Sequence, residues 1–161
     1  SEETTDKEEA NADEADSDEE EAAESEADEA ELEAAIEVEN DLRSEIVTYA
    51  LQFVGNRYKY GGTNPNTGVD CSGFTSYVMR HAAEVELPHS SGGQSRMGRQ
   101  VSSSEMRPGD IICYGSGKRI NHVALSIGNG QIVHASTERT GIKVSRWNYR
   151  TPVRIVNVLG D

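Results

Sequence analysis

Residues 70–74 read Asp70-Cys71-Ser72-Gly73-Phe74, and this stretch opens a helix. Asp is among the preferred N-cap residues, because its carboxylate accepts from the unpaired N–H groups of the first turn. From Cys71 to about Ala83, Phe74, Tyr77, Val78 and His81 fall on one face at helical spacing. Cys71 is then the first helical residue, where free N–H groups and the helix dipole favour an anion. Downstream, His122 and His134 stand in two short apolar runs that read as strands. A cysteine at a helix start and two strand histidines are the parts of thiol chemistry. One group attacks, one imidazole takes its proton, and a second ring holds the first. The dipole and a neighbouring imidazolium are expected to draw Cys71 below the ordinary thiol pKa of about 8.5, into the range of roughly 3.5–7.5.

Working outward, Asn40 or Asp41 can cap an earlier helix running to about Val54. Leu42, Ile46, Tyr49, Ala50 and Phe53 recur on it at helical spacing, and Gly55 closes it. Between the helices, Tyr58-Lys59-Tyr60-Gly61-Gly62 and Asn64-Pro65-Asn66-Thr67-Gly68 mark irregular backbone able to approach a ligand closely. Pro88 begins a polar loop to about Gln100, and Pro108-Gly109-Asp110 is a turn with Pro at its second position and Gly at its third. The rest is a series of short β-like runs: Ile111–Tyr114, His122–Ile127, Gln131–His134, Ile142–Arg146 and Val153–Val158. Helices first and an antiparallel sheet afterwards make an α+β domain.

The hairpin at Gly128-Asn129-Gly130 tests the histidine pairing. A three-residue loop sets Ile127 against Gln131 and Ala124 against His134, so that His122 and His134 share one side as diagonal neighbours within about 7–8 Å. A two-residue loop sets Leu125 against His134 and sends the rings to opposite faces. The chemical reading therefore requires the odd loop.

Composition splits the chain. Residues 1–45 carry 22 acidic and 2 basic residues, a charge of −20; residues 46–161 carry 7 and 13, a charge of +6, and together they give the net −14. The first 41 residues are Glu, Asp, Ala and Ser with few large apolar groups. Such a segment cannot bury enough surface to offset its ordering entropy, and reads as a disordered tail or linker with transient helix near Leu32, Ile36 and Val38. Residues 42–161 are of normal single-domain size. The opening on Ser1 reads as a fragment or processed form. No run approaches the roughly 20 apolar residues of a membrane span, and the scattered basic residues carry no nucleic-acid motif.

Two cysteines are too few for a disulfide scaffold. Cys113, in the run Ile111-Ile112-Cys113-Tyr114, reads as a core thiol; His81 reads as packing or rim, and His89 as solvated. No Cys-x-x-Cys or His-x-x-x-His pair seeds a zinc site, and no cofactor is expected.

From about Ile46 to Val158 the chain resembles the NlpC-type cell-wall cysteine peptidases, a papain-like superfamily. The matching segments are Tyr58-Lys59-Tyr60-Gly61-Gly62, Asp70-Cys71-Ser72-Gly73-Phe74, Leu87-Pro88-His89-Ser90-Ser91 with Gln94, Arg107-Pro108-Gly109-Asp110-Ile111, Asn121-His122-Val123-Ala124-Leu125 and Val133-His134-Ala135-Ser136. The resemblance implies a papain-like α+β fold and hydrolysis of peptide bonds in bacterial peptidoglycan stem peptides, typically between γ-D-glutamyl and a diamino acid. It implies Cys71 as nucleophile, His122 as general base and His134 as orienting residue. Tyr58, Asp70, Ser72 and Ser90 become substrate-binding candidates, with Tyr60 a competitor for the Tyr58 role and His89 standing where an arginine is frequent. It also implies export to the cell surface. No metal is expected, and the expected state is a monomer. Two alternatives are a thiol amidase or acyltransferase, in which the histidine often precedes the cysteine, and a wall-binding module with a degenerate site.

Overall fold

The computed structural model describes residues 19–161. Leu42–Asp161 forms one compact unit, and the described residues before it belong to another. The expected disorder of the acidic tail lies, for residues 1–18, outside the described residues. The expected helix start at Asn40 or Asp41 is corrected: the first helix, α1, runs Glu19–Leu51. This stretch is rich in the strong helix formers Ala and Glu and contains no Gly or Pro, so summed propensity outweighs the weak cap signal. Leu32, Ile36 and Val38 are exposed on it. The buried face begins only beyond Asp41, where Ile46 and Ala50 enter the core.

After α1 come β1 (Thr63–Asn64) and β2 (Gly68–Val69), a small antiparallel pair, then α2 (Cys71–Ala83) and α3 (Ser91–Ser95). The strands β3 (Arg99–Gln100), β4 (Ile111–Ser116), β5 (Arg119–Gly128), β6 (Gln131–Thr137), β7 (Gly141–Arg146) and β8 (Pro152–Asn157) form one antiparallel sheet in the order β3-β8-β4-β5-β6-β7. α2 starts and ends where the sequence placed it. The stretch read as loop from Pro88 to Gln100 instead holds α3, whose cap Ser90 accepts from Gly93 N–H, and the edge strand β3. Both are too short for a periodic signal.

Alternation along the strands divides the sheet between two apolar layers. Ile111, Cys113, Val123, Leu125 and Val133 pack with Ile46, Phe53, Phe74, Val78 and Met79 of the helical side. Ile112, Tyr114, Ala124, Ile132 and Ile155 form a second cluster with Trp147. By the same alternation His122 and His134 belong to this second side.

The hairpin reaches the required register by a different route. Gly128 pairs with Gln131, leaving the two-residue turn Asn129-Gly130, and a bulge between Ser126 and Gly128 restores Ser126↔Ile132 and Leu125↔Val133. Asn129 and Gly130 both have positive φ, as a type I′ turn demands. One extra residue in the bulge does the work assigned to the third loop residue. The Pro108 turn forms as read: Asp110 N–H donates to Arg107 O, and Gly109 has φ 95°.

Candidate active site

Asp70 caps α2 through Oδ1, which accepts Gly73 N–H at 2.8 Å. The same oxygen accepts from His89 Nε2 at 2.8 Å, and Oδ2 accepts Gly61 N–H at 3.0 Å. His89 is exposed, as expected, and is in addition a partner of the cap. Three of roughly four carboxylate acceptor positions are filled, which leaves one for any substrate amine. Gly73 is needed here, since a Cβ would lie 2.2 Å from Gly62 O and 2.9 Å from Asp70 Oδ1. The tyrosine–glycine loop is therefore pressed against the first turn of α2.

Gln94 of α3 holds that turn from the other side. Fully buried, it donates through Nε2 to Ser72 O, Ser76 Oγ and Pro88 O, each at 2.9 Å, and its Oε1 accepts from Thr75 Oγ1 at 2.6 Å. Ser72 is buried and bonded through its carbonyl, and Ser90 is exposed with its hydroxyl capping α3.

Cys71 is a free, partly buried thiol at the start of α2. The β5–β6 ladder ends at Leu125–Val133, and beyond that point the backbone N–H of Val123, next in the chain to His122, acts on the Cys71 sulfur and favours its anion. The expected lowering of the thiol pKa does not hold in the free protein. Burial raises it and the Asp70 charge adds to this, against the opposing N–H groups of Val123, Ser72 and Cys71. Cys113 is buried, free and pushed up to about 12 by burial. No group of three or more His, Cys, Asp or Glu side chains gathers among the described residues as a metal site would require.

His122 Nε2 lies 2.7 Å from His134 Nδ1, and His134 Nε2 lies 2.9 Å from Ser145 Oγ on β7. Nδ1 is the His122 nitrogen left free. Burial lowers the pKa of His122 to about 4, and burial with the His122 charge lowers that of His134 to about 3. Both rings and the thiol rest neutral.

Tyr58 is half-buried, bridges to Val69, and has its pKa raised by burial and by the Cys71 charge; Tyr60 is 86% exposed. Sequence reading missed two residues here. Ser145 carried no signal beyond being the polar member of an alternating strand. Tyr149 packs 5.2 Å from the rings of both His134 and Tyr114, and the Cys71 charge acts on it. It lies in the turn after β7, where no periodicity exists to flag it.

Helices packed on an antiparallel sheet, with a cysteine at a helix start facing a strand, make this a papain-like α+β fold. Solved structures agree: the NlpC/p60 domain of the peptidoglycan hydrolase SagA is 32% identical, with a TM-score of 0.66 over 71% of this chain and 97% of that one. The peptidoglycan hydrolase RipB of Mycobacterium tuberculosis is 27% identical, with a TM-score of 0.67 over 76% of this chain and 67% of that one. The NlpC/P60 family profile matches residues 55–155, and the chain belongs to that family. Among relatives, the Escherichia coli murein DD-endopeptidase MepS/murein LD-carboxypeptidase is 40% identical over 108 residues, 67% of this chain and 56% of the relative. The probable endopeptidase p60 of Listeria seeligeri is 41% identical over 98 residues, 61% of this chain and 18% of the relative. The chain thus spans little more than half the length of the first of these, and less of the second.

Proposed function

We propose that residues 42–161 are a cysteine peptidase domain that hydrolyses peptide bonds in peptidoglycan stem peptides at the cell surface, with the acidic segment before it acting as a linker. The observation that carries this reading is the hydrogen-bonded run Ser145–His134–His122, with His122 next in the chain to Val123, whose backbone N–H acts on the Cys71 thiol. Family membership and the names of the relatives support the substrate class.

In this mechanism Ser145 Oγ accepts from His134 Nε2–H, and His134 Nδ1 accepts from His122 Nε2–H. His122 Nδ1 then carries a lone pair. Cys71 attacks the scissile carbonyl carbon as its S–H proton passes to Nδ1, so thiolate and imidazolium form together rather than in advance. The N–H groups of Cys71 and Ser72 stabilise the oxyanion. On collapse the C–N bond breaks, and the leaving amine takes the proton from His122. Water, deprotonated by the same nitrogen, hydrolyses the thioester and returns the thiol. Tyr58 and Tyr149 flank the cleft, and Asp70 and Ser90 offer their remaining acceptor capacity to the substrate.

The bond between γ-D-glutamyl and the diamino acid is the first candidate. The name of the Escherichia coli relative supports a second, a bond between D-centres. Incubation with defined muropeptides and mass spectrometry of the fragments distinguishes them. Cys71→Ala and His122→Ala are expected to release no fragment; equal turnover by Cys71→Ala contradicts the mechanism.

A further inference from the structure

A cleft of about 480 Å³ lies between α3, the β4–β5 hairpin and β8, with Arg96, Lys118, Arg119 and Arg154 around an apolar floor that includes Ile120 and Val153. Among the described residues no acidic side chain lines it. All four basic residues are exposed. Among the described residues none of them makes an ion pair or a side-chain hydrogen bond, whereas Arg43 and Arg107 are held by Asp110 and Asp161. Cations gathered around one concavity without counter-charge raise the local potential and attract anions. Guanidinium forks match the paired oxygens of phosphate and carboxylate. Four exposed charges around a space of this size suit several anionic groups at once better than a single ion. Arg119 precedes His122 by three residues on β5, on the order of 10 Å at the rise of a strand, so an occupant need not enter the catalytic groove.

We propose that this cleft binds a polymer bearing repeated anionic oxygen groups, phosphate or carboxylate, and so holds the domain on an anionic matrix. The site makes no use of Cys71 or the histidines and stands apart from the catalytic reading.

The test is binding of fluorescent polyphosphate and of fluorescent poly-L-glutamate to the full chain, at low salt and at raised salt. The expected result is binding of at least one polymer, weakened at least about tenfold by Arg119→Glu/Arg154→Glu and by a smaller factor in Arg119→Gln/Arg154→Gln. The difference between parent and variants should shrink as salt screens the charges. The tighter polymer identifies phosphate or carboxylate as the natural group. Arg57→Glu/Arg139→Glu, on exposed residues outside the cleft, makes the same change in net charge and should bind nearly as the parent does. Cleavage of a small soluble muropeptide should be unchanged in the cleft variants. Binding of neither polymer by the parent, unchanged binding by both cleft variants, or equal loss in the control pair overturns the proposal.

Discussion

His122 Nε2 and His134 Nδ1 are 2.7 Å apart with their rings at 70°. One proton lies between them, so the tautomer of one ring dictates that of the other. Ser145 is hydrogen-bonded to Nε2 at the far side of His134, and when its hydroxyl accepts there, His134 Nδ1 is left to accept from His122. His134→Ala is expected to lower kcat by about 10²–10⁴-fold, by analogy with loss of the orienting member of other triads. Ser145→Ala removes one hydrogen bond of about 1 kcal/mol and should lower kcat roughly fivefold at unchanged KM, with Ser145→Thr restoring it. Steady-state kinetics on a soluble muropeptide checks both; a Ser145→Ala effect confined to KM contradicts the positioning role.

Burial sets the pH response. His122 titrates at about 4 and the Cys71 thiol above its ordinary value, so the competent neutral pair spans a wide range. The profile of kcat/KM should stay level from roughly pH 5 to 8 and fall on the acid side as His122 takes a proton near about 4. An acid limb near the unperturbed imidazole value of about 6.5 contradicts this account.

Stability should follow the same groups. The histidine pKa values are lower folded than unfolded, at about 4 for His122 and about 3 for His134. Between these values and about 6.5 the unfolded chain binds more protons, so unfolding free energy falls as pH falls through that window. His122 alone accounts for about 3 kcal/mol of the loss. Urea unfolding at pH 7 and pH 4.5 measures it, and the His122→Gln/His134→Gln variant should lose much less over the same interval.

Arg43 ties the end of α1 to distant chain. Its guanidinium is 3.1 Å from Asp110 Oδ1, 2.7 Å from Pro108 O and 2.6 Å from Asp161 Oδ1. Asp110 is 1% exposed, and its pKa is raised by burial against the opposing Arg107 and Arg43 interactions. Arg43→Ala leaves that carboxylate buried without its partner and is expected to cost about 3–5 kcal/mol. Arg43→Lys should rescue little, since an ammonium cannot reproduce the fork. Chemical denaturation checks both.

Gly73→Ala tests the contact behind Cys71. The added Cβ must displace the Gly62 carbonyl or the Asp70 carboxylate. Overpacking of this kind costs about 1–3 kcal/mol, and loosening the cap should lower kcat as well. Unchanged stability and activity contradict the close packing of the tyrosine–glycine loop on α2.

α2 was legible because its signals are local: Asp70 caps it, and four side chains repeat at 3.6-residue spacing. The sheet was legible from short apolar runs, and the histidine pairing from period-two alternation, although a bulge supplied the odd residue that a longer turn was expected to give. The beginning of α1 was misread because caps are weak signals against a long stretch rich in Ala and Glu. Ser145, Tyr149 and the pairing of His89 with Asp70 were invisible because each depends on elements that meet only in the folded chain. Arg43 and Asp161 are the extreme case, 118 residues apart.

The central claim is that the Cys71 sulfur bonds covalently to the acyl half of the cleaved peptide. Acid quenching during turnover of a muropeptide, followed by peptide mapping and mass spectrometry, measures it directly. The account predicts an acyl adduct on the peptide containing Cys71 and none on that containing Cys113. Turnover with no adduct on Cys71 in the parent, and undiminished turnover in Cys71→Ala, would contradict it.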